Sequence, residues 1–184
     1  MKTTKILGII AGMSLVLFSS LTIVGATEYQ HEVKDKKISF AWTVEGENLA
    51  VKLVAETDGW VGIGFNPVEK MAGANFILGY VKKGKAKIVD EFGHDDNKHK
   101  SDTKLGGASD VTMVGGTEVD GVTTIEFTIP LDSGDKNDTK IDVNGDTTVL
   151  LGYGGGRDSF KAKHKYRSTF IVNLSSGVSE KKGK

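Results

Sequence analysis

The chain of 184 residues contains no cysteine. That absence excludes a disulfide framework, an acylated-cysteine anchor, and a thiolate site for zinc or an iron–sulfur cluster. It also excludes the Cys-x-x-Cys-His attachment of a c-type haem, so any haem would be held noncovalently. An excess of either charge is missing too, since 24 basic residues face 24 acidic ones. No G-x-S-x-G elbow is present, and no recognisable motif places a pair of acids, which leaves acyl transfer and glycoside hydrolysis without a carrier. There is no internal repeat and little sign of helix.

The N-terminus reads as a secretory leader. MKTTK supplies two lysines, LGIIAGMSLVLF an apolar run, and Val24-Gly25-Ala26 a small-residue cleavage site, the three parts of a signal peptide over residues 1–26. Gly8, Gly12, Ser14, Ser19, Ser20 and Thr22 interrupt the apolar stretch, which disfavours an uncleaved anchor and stable membrane insertion after cleavage. A mature chain starting at Thr27 keeps 22 basic and 24 acidic residues, because the leader holds Lys2 and Lys5 and no acid. A net charge near −2 offers no field for nucleic acid. The expected location is outside the cytoplasm, periplasmic or extracellular. Residues 27–174 suffice for one domain with its own core, and 175–184, SSGVSEKKGK, read as a solvated tail.

Along the mature chain apolar residues alternate with period two and are broken by glycine and asparagine, the pattern of antiparallel strands. Strands are expected over 37–44, 50–56, 60–65, 74–81, 87–92, 111–116, 122–129, 147–153 and 166–173. Turn signals at Glu45-Gly46, Asp58-Gly59, Lys83-Gly84, Asp120-Gly121 and Asn144-Gly145 join them. The fold class is therefore all-β, a two-sheet antiparallel sandwich of immunoglobulin-like type, with a closed barrel as the alternative. One helical turn is expected over 66–72 and a long polar loop over 94–108. Trp60 is expected as a plug between the sheets.

Two residues carry possible chemistry: Met71, just after GWVGIGFNPVEK, and His164, in KAKHKYRSTFIV. They are about 90 positions apart, so only a fold could bring them together. Taken singly, a methionine is ordinarily flexible core filler and a strand-end histidine a surface residue. If the last strand reaches back to Lys163, period-two alternation puts His164 on the side of Tyr166, Ser168, Phe170 and Val172, facing inward.

The order of motifs resembles the DOMON family, in its haem-b-binding cytochrome branch, over nearly all of the mature chain. The signature G-W-x-x-[IL]-G-[FW] is matched by Gly59, Trp60, Val61, Gly62, Ile63, Gly64 and Phe65. Met71, Ala72, Gly73, Ala74 and Asn75 are similar to the segment that follows it. Asp90 resembles the family aspartate after the next strand. IPLDSGDKND resembles R-P-L-x-T-G-D-x-x-D, with Ile129 where an arginine is usual, and TVLLGYGGGRDSFKAKH resembles the closing strand, glycines and histidine. The resemblance implies that Met71 and His164 are the axial ligands of a noncovalent haem b and that the domain passes single electrons to a redox partner protein, without being an enzyme itself. Small neighbours at Ala72, Gly73 and Ala74, and Gly152, Gly154, Gly155 and Gly156, would let a flat macrocycle lie against backbone.

A carbohydrate-binding module without haem, or a haem sensor or carrier, are the alternative functions. His99, Met113 and His94 are the reserve axial ligands. The His94, Asp95, Asp96, His99 loop reads as solvated polar chain, and DSGDKNDTKIDVNGD has calcium-loop composition without the EF-hand ligand order, so it reads as successive capped turns. GYGGGRD lacks the Gly-Lys-Ser/Thr of a phosphate loop and reads as a turn.

Overall fold

In the computed structural model, residues 28–183 are described, and the expected leader lies outside them. The elements in chain order are β1 (His31–Asp35), β2 (Ile38–Glu45), β3 (Asn48–Ala55), β4 (Val61–Phe65), β5 (Asn75–Lys82), β6 (Lys85–Asp95) and β7 (Lys98–Ser101). A 3-10 turn (Asp102–Leu105) follows, then β8 (Thr112–Val119), β9 (Val122–Pro130), β10 (Asp146–Gly154), β11 (His164–Asn173) and β12 (Ser179–Lys181). They form two antiparallel sheets, β1-β2-β3-β9-β8 and β12-β11-β10-β4-β5-β6-β7. Among the described residues no helix is long and apolar enough to cross a membrane.

Alternation explains most of this. VTTIEFTIP of β9 buries every second residue, and DTTVLLGYG of β10 does the same. The inward set, including Phe40, Trp42, Leu53, Phe65, Ile77, Ile125, Phe127, Leu151 and Val172, packs between the sheets as one core. Two hairpins close through Lys83-Gly84 and Asp120-Gly121, where both central residues have positive φ, at 52° and 71° and at 51° and 74°. That geometry matches the strand twist.

The nine expected strands are present, with shifted ends. Three more appear that have almost no apolar residues: β1, β7 and β12. The polar segment expected as a loop over 94–108 instead completes β6, pairs back as β7 and enters the 3-10 turn. The tail is exposed, yet its SEK segment adds to the edge of β11. No helical turn forms over 66–72. Asn66 and Lys70 have positive φ, at 48° and 50°, which cannot propagate a right-handed helix, and an isolated bridge joins Glu69 to Ala72.

The inter-sheet plug is Trp42, fully buried, stacked on Phe40 at 4.5 Å and donating its indole N–H to the Leu174 carbonyl at 2.9 Å. Trp60 is not between the sheets. β4 and β5 are buried on both faces, and Trp60 belongs to a second apolar cluster with Ala74, Phe76, Leu78 and Tyr80. Its position just outside β4 puts it on the outer side of the seven-stranded sheet, over Gly62, Gly152 and Gly154. A Cβ at Gly64 would run into the Phe76 ring. Gly64→Val is therefore expected to cost about 1–3 kcal/mol by overpacking, read as a lower urea midpoint with an unchanged m-value.

The two sheets are also clasped at one edge. Asp35, at the end of β1, is nearly buried and accepts hydrogen bonds from the Tyr166 hydroxyl of β11 and the Lys181 ammonium of β12, both at 2.8 Å. Burial alone would raise its pKa, but the Lys181 and Tyr166 bonds outweigh that and hold it below the usual carboxylate value. A depressed folded-state pKa stabilises fully above the unfolded value of about 3.9, and the contribution disappears as pH falls through the lower folded value. Asp35→Asn should flatten this acid limb in melting curves recorded between about pH 5 and pH 2.

Candidate functional site

The site grows out of glycines at alternate positions. In GWVGIGF, Val61, Ile63 and Phe65 face the core, which leaves Gly62 and Gly64 on the outer face. In β10, Val149, Leu151 and Tyr153 face the core and Leu150, Gly152 and Gly154 lie outward. Register pairs Gly152 with Gly62 and Leu150 with Gly64, so a patch of bare backbone runs across both strands. A Cβ at Gly62 would sit 3.1 Å from Leu78 and 3.3 Å from Trp60. Trp60 is held there by its indole N–H, which donates to the Ala162 carbonyl at 3.0 Å. Phe160, from the same β10–β11 connection, lies 4.6 Å from Tyr80.

Met71 sits in the β4–β5 connection and packs, half-buried, on this outer cluster. The backbone around it is tied down closely. Met71 N–H donates to the Asp96 carbonyl at 3.3 Å, Ala74 N–H to the Met71 carbonyl at 3.2 Å, and Gly73 N–H to the Gly93 carbonyl at 2.7 Å. Gly93 permits this approach, because a Cβ there would collide with the Met71 carbonyl oxygen. Lys70 pairs with Asp96 beside it.

His164 begins β11. Tyr153 pairs with Tyr166, but the next pair is Gly154 with His164, so Lys165 is the extra residue of a β-bulge. A bulge breaks strict alternation. His164 consequently does not continue the inward column of Tyr166, Ser168, Phe170 and Val172. It shares the side of Gly154, which is the side Trp60 occupies. His164 is exposed as a residue, yet partial burial of its imidazole and then the nearby Arg167 charge lower its pKa. That favours the neutral imidazole, the form that ligates metals.

Met71 and His164 are thus on one face of the seven-stranded sheet, at opposite ends of β4, the first beside the Phe65 end and the second beside the Val61 end. The strip between them is apolar and glycine-floored. Measured along β4, the Val61 and Phe65 ends are roughly 13 Å apart at about 3.3 Å per residue. His99, on β7, lies 5.6 Å from the Phe76 ring and is engaged by Glu91. His94 is exposed at the end of β6, and Met113 is exposed on β8 in the other sheet. The contributions of Phe76, Leu78 and Phe160 were not anticipated from sequence. The signal for them was present as Gly62/Gly64 and Gly152/Gly154, spaced by two in two strands.

The sandwich and its outer cluster can now be set beside known proteins. DBH-like monooxygenase protein 1 of Mus musculus is 32% identical over 144 residues, covering 74% of this chain and 22% of its own length. The Homo sapiens protein of that name is 33% identical over 115 residues, covering 62% and 18%. The chain spans about a fifth of the length of these curated relatives. Among solved structures, the cytochrome b domain of pyranose dehydrogenase from Coprinopsis cinerea superposes with a TM-score of 0.59 at 12% identity, covering 76% of this chain and 78% of that one. The cytochrome domain of Myriococcum thermophilum cellobiose dehydrogenase superposes at 0.52 with 9% identity and 77% of each chain. At such identities the likeness is one of fold. A family model described as the DOMON domain matches residues 34–154, a segment that includes Met71 and ends ten residues before His164. With most of the described sandwich inside that match, this chain belongs to the DOMON domain family.

Proposed function

We propose that this protein is an exported b-type cytochrome that holds haem b noncovalently, with Met71 and His164 as the axial ligands, and exchanges single electrons with a redox partner protein. The observation that carries the reading is the placement of a half-buried thioether and an accessible imidazole on one glycine-floored apolar face. The cytochrome domains that share the fold support it. So does the donor set, since a thioether and an imidazole are an established axial pair in cytochromes. Gly62, Gly64, Gly152 and Gly154 let Trp60, Phe76 and Leu78 lie close on the sheet, and a haem would rest against that apolar cover.

When bound, haem b would supply a one-electron iron couple, with methionine ligation raising its potential relative to two histidines. The chain's own residues do the rest. The clamped Met71 backbone fixes where the thioether can point. The lowered pKa of His164 keeps a lone pair available at neutral pH. Trp60, Phe76 and Leu78 exclude water from the strip. Two protein donors would leave no open coordination position on the iron, which favours electron transfer over oxygenation.

A sugar-binding role has less support. Among the described residues every Trp, Tyr and Phe is buried or half-buried, so no aromatic platform faces solvent. The outcome expected on adding haem to the purified protein is a sharp Soret band, with low-spin α and β bands on reduction. Met71→Ala and His164→Ala should each lose the low-spin spectrum, and His99→Ala should keep it. Failure to bind haem, or wild-type spectra from both ligand variants, would refute the assignment.

A further inference from the structure

The two ends of the seven-stranded sheet carry opposite charge. At the Val61 end of β4 the β5–β6 hairpin brings Lys82, Lys83, Lys85 and Lys87. To the same end the β10–β11 connection and the start of β11 bring Arg157, Lys161, Lys163, Lys165 and Arg167. All nine are exposed. Among the described residues only Lys82 of this set has an acidic partner, Asp158 at 3.8 Å. At the Phe65 end the β9–β10 connection and the first residue of β10 carry Asp132, Asp135, Asp138, Asp142 and Asp146 against Lys136 and Lys140. A chain with 24 basic and 24 acidic residues is thus sorted into a basic and an acidic end.

His164 stands in the basic end. Register puts it beside Gly154 on the outer face, and Arg167 pairs with Gly152 on that same face. Lys85 and Lys87 pair with Lys82 and Tyr80, which alternation turns outward on β5. The Lys87 ammonium lies 6.0 Å from the centre of the Tyr80 ring. Between the two groups of cations, Phe160 and Ala162 are half-buried on the Trp60 cluster. Acids of the neighbouring connections are engaged elsewhere. Glu56 is paired with Lys37, and Asp58 is directed at the β8–β9 turn of the other sheet, where a Cβ on Gly121 would lie 3.6 Å from its carboxylate.

Crowding like charges without partners opposes folding through self-repulsion, and solubility is served by interspersed signs. An apolar centre with a charged rim is instead the anatomy of a protein–protein interface. From β11 to β6 there are four inter-strand spacings, about 19 Å at about 4.8 Å each. That width fits within the about 800 Å² that each partner contributes to a standard interface.

We propose that the His164 end of this outer face is a docking surface for an acidic redox protein, with the cations of the β5–β6 hairpin and the β10–β11 connection steering the partner's cofactor to the edge at His164. This docking presupposes the cytochrome reading. One electron passes between the haem iron and the partner's cofactor, so that one is oxidised as the other is reduced, with no bond made or broken. The charge distribution selects a protein over a membrane or a nucleic acid. An extended polyanion would also meet the acidic end, whereas a compact acidic patch engages the basic end alone. The exposed large apolar side chains that could enter a bilayer, Val68, Met113, Val114, Val119 and Val178, all lie outside the patch. Complementary charge of this kind acts mainly on the rate of encounter.

The test uses flavodoxin, an acidic one-electron protein, with basic cytochrome c as its counterpart. The haem-free chain should bind flavodoxin and not cytochrome c, with an affinity that falls at least about tenfold between about 20 mM and about 300 mM NaCl. After haem loading, flavodoxin hydroquinone should reduce the ferric protein with the same salt dependence. Lys87→Glu combined with Lys161→Glu should slow that reduction at least about tenfold. Lys100→Glu combined with Lys104→Glu, an equal change of charge on exposed residues near the Phe65 end, should leave it within about twofold. Equal effects of the two double variants would reduce the patch to net charge and overturn the docking surface. So would absent or salt-independent flavodoxin binding, or tighter binding to vesicles of phosphatidylcholine and phosphatidylglycerol than to flavodoxin. Flavodoxin binding by a chain that takes up no haem would overturn the redox role, whereas an intact haem spectrum without flavodoxin binding would overturn the docking surface and leave the cytochrome reading standing.

Discussion

The central strands β4 and β5 have no face left for water. A sheet in a sandwich ordinarily buries one side and wets the other, but here Gly62, Gly64, Phe76, Leu78 and Tyr80 are buried on the outer side while Val61, Ile63, Phe65 and Ile77 are buried on the inner. Something must cover the outer surface. Trp60, Met71 and the segment carrying Phe160 and Ala162 do so, and they are drawn from both ends of the strands they cover. The requirement for two-sided burial therefore assembles the candidate site.

The same requirement explains the glycines. A Trp or Phe ring can lie flat on a strand only where the backbone beneath has no side chain, and Gly62, Gly64, Gly152 and Gly154 provide that clearance in register. Gly93 performs a different task by letting the Met71 backbone sit against β6. The Met71 loop is thus fixed by backbone hydrogen bonds and close approach, not by the apolar contacts of its own side chain. On the other side of β6, Asp90 meets Asp102 and Asp138 at the inner rim, and Thr139, next to Asp138, donates its hydroxyl to the Gly73 carbonyl at 3.3 Å.

Legibility in the sequence followed apolar content. Strands such as β9 and β10 announce themselves because alternate residues must be buried. KHKS of β7 and SEK of β12 cannot, since their strand state comes only from backbone pairing to a neighbouring edge. Met71 was legible as a residue and its surroundings partly so. Trp60 lies on the outer side of the sheet and not between the sheets, and a lone tryptophan next to a strand does not reveal which face it covers. The segment DSGDKNDTKIDVNGD has the composition of successive capped turns, and Asp132 and Asp135 do accept backbone N–H groups as such. Asp138 differs only in where the connection carries it.

The sequence alone determined the all-β class, the family signature, the turns at Lys83-Gly84 and Asp120-Gly121, and the noncovalent nature of any haem attachment, because each depends on local residue chemistry or on the absence of cysteine. The tertiary structure decided which face each residue serves. One extra residue at Lys165 moved His164 from the inner side to the side of Trp60, and the meeting of Asp90, Asp102 and Asp138 required three connections to close on one point. A bulge is set by pairing with a neighbouring strand, and burial of a charge by what packs around it. Neither quantity is written in the residues themselves.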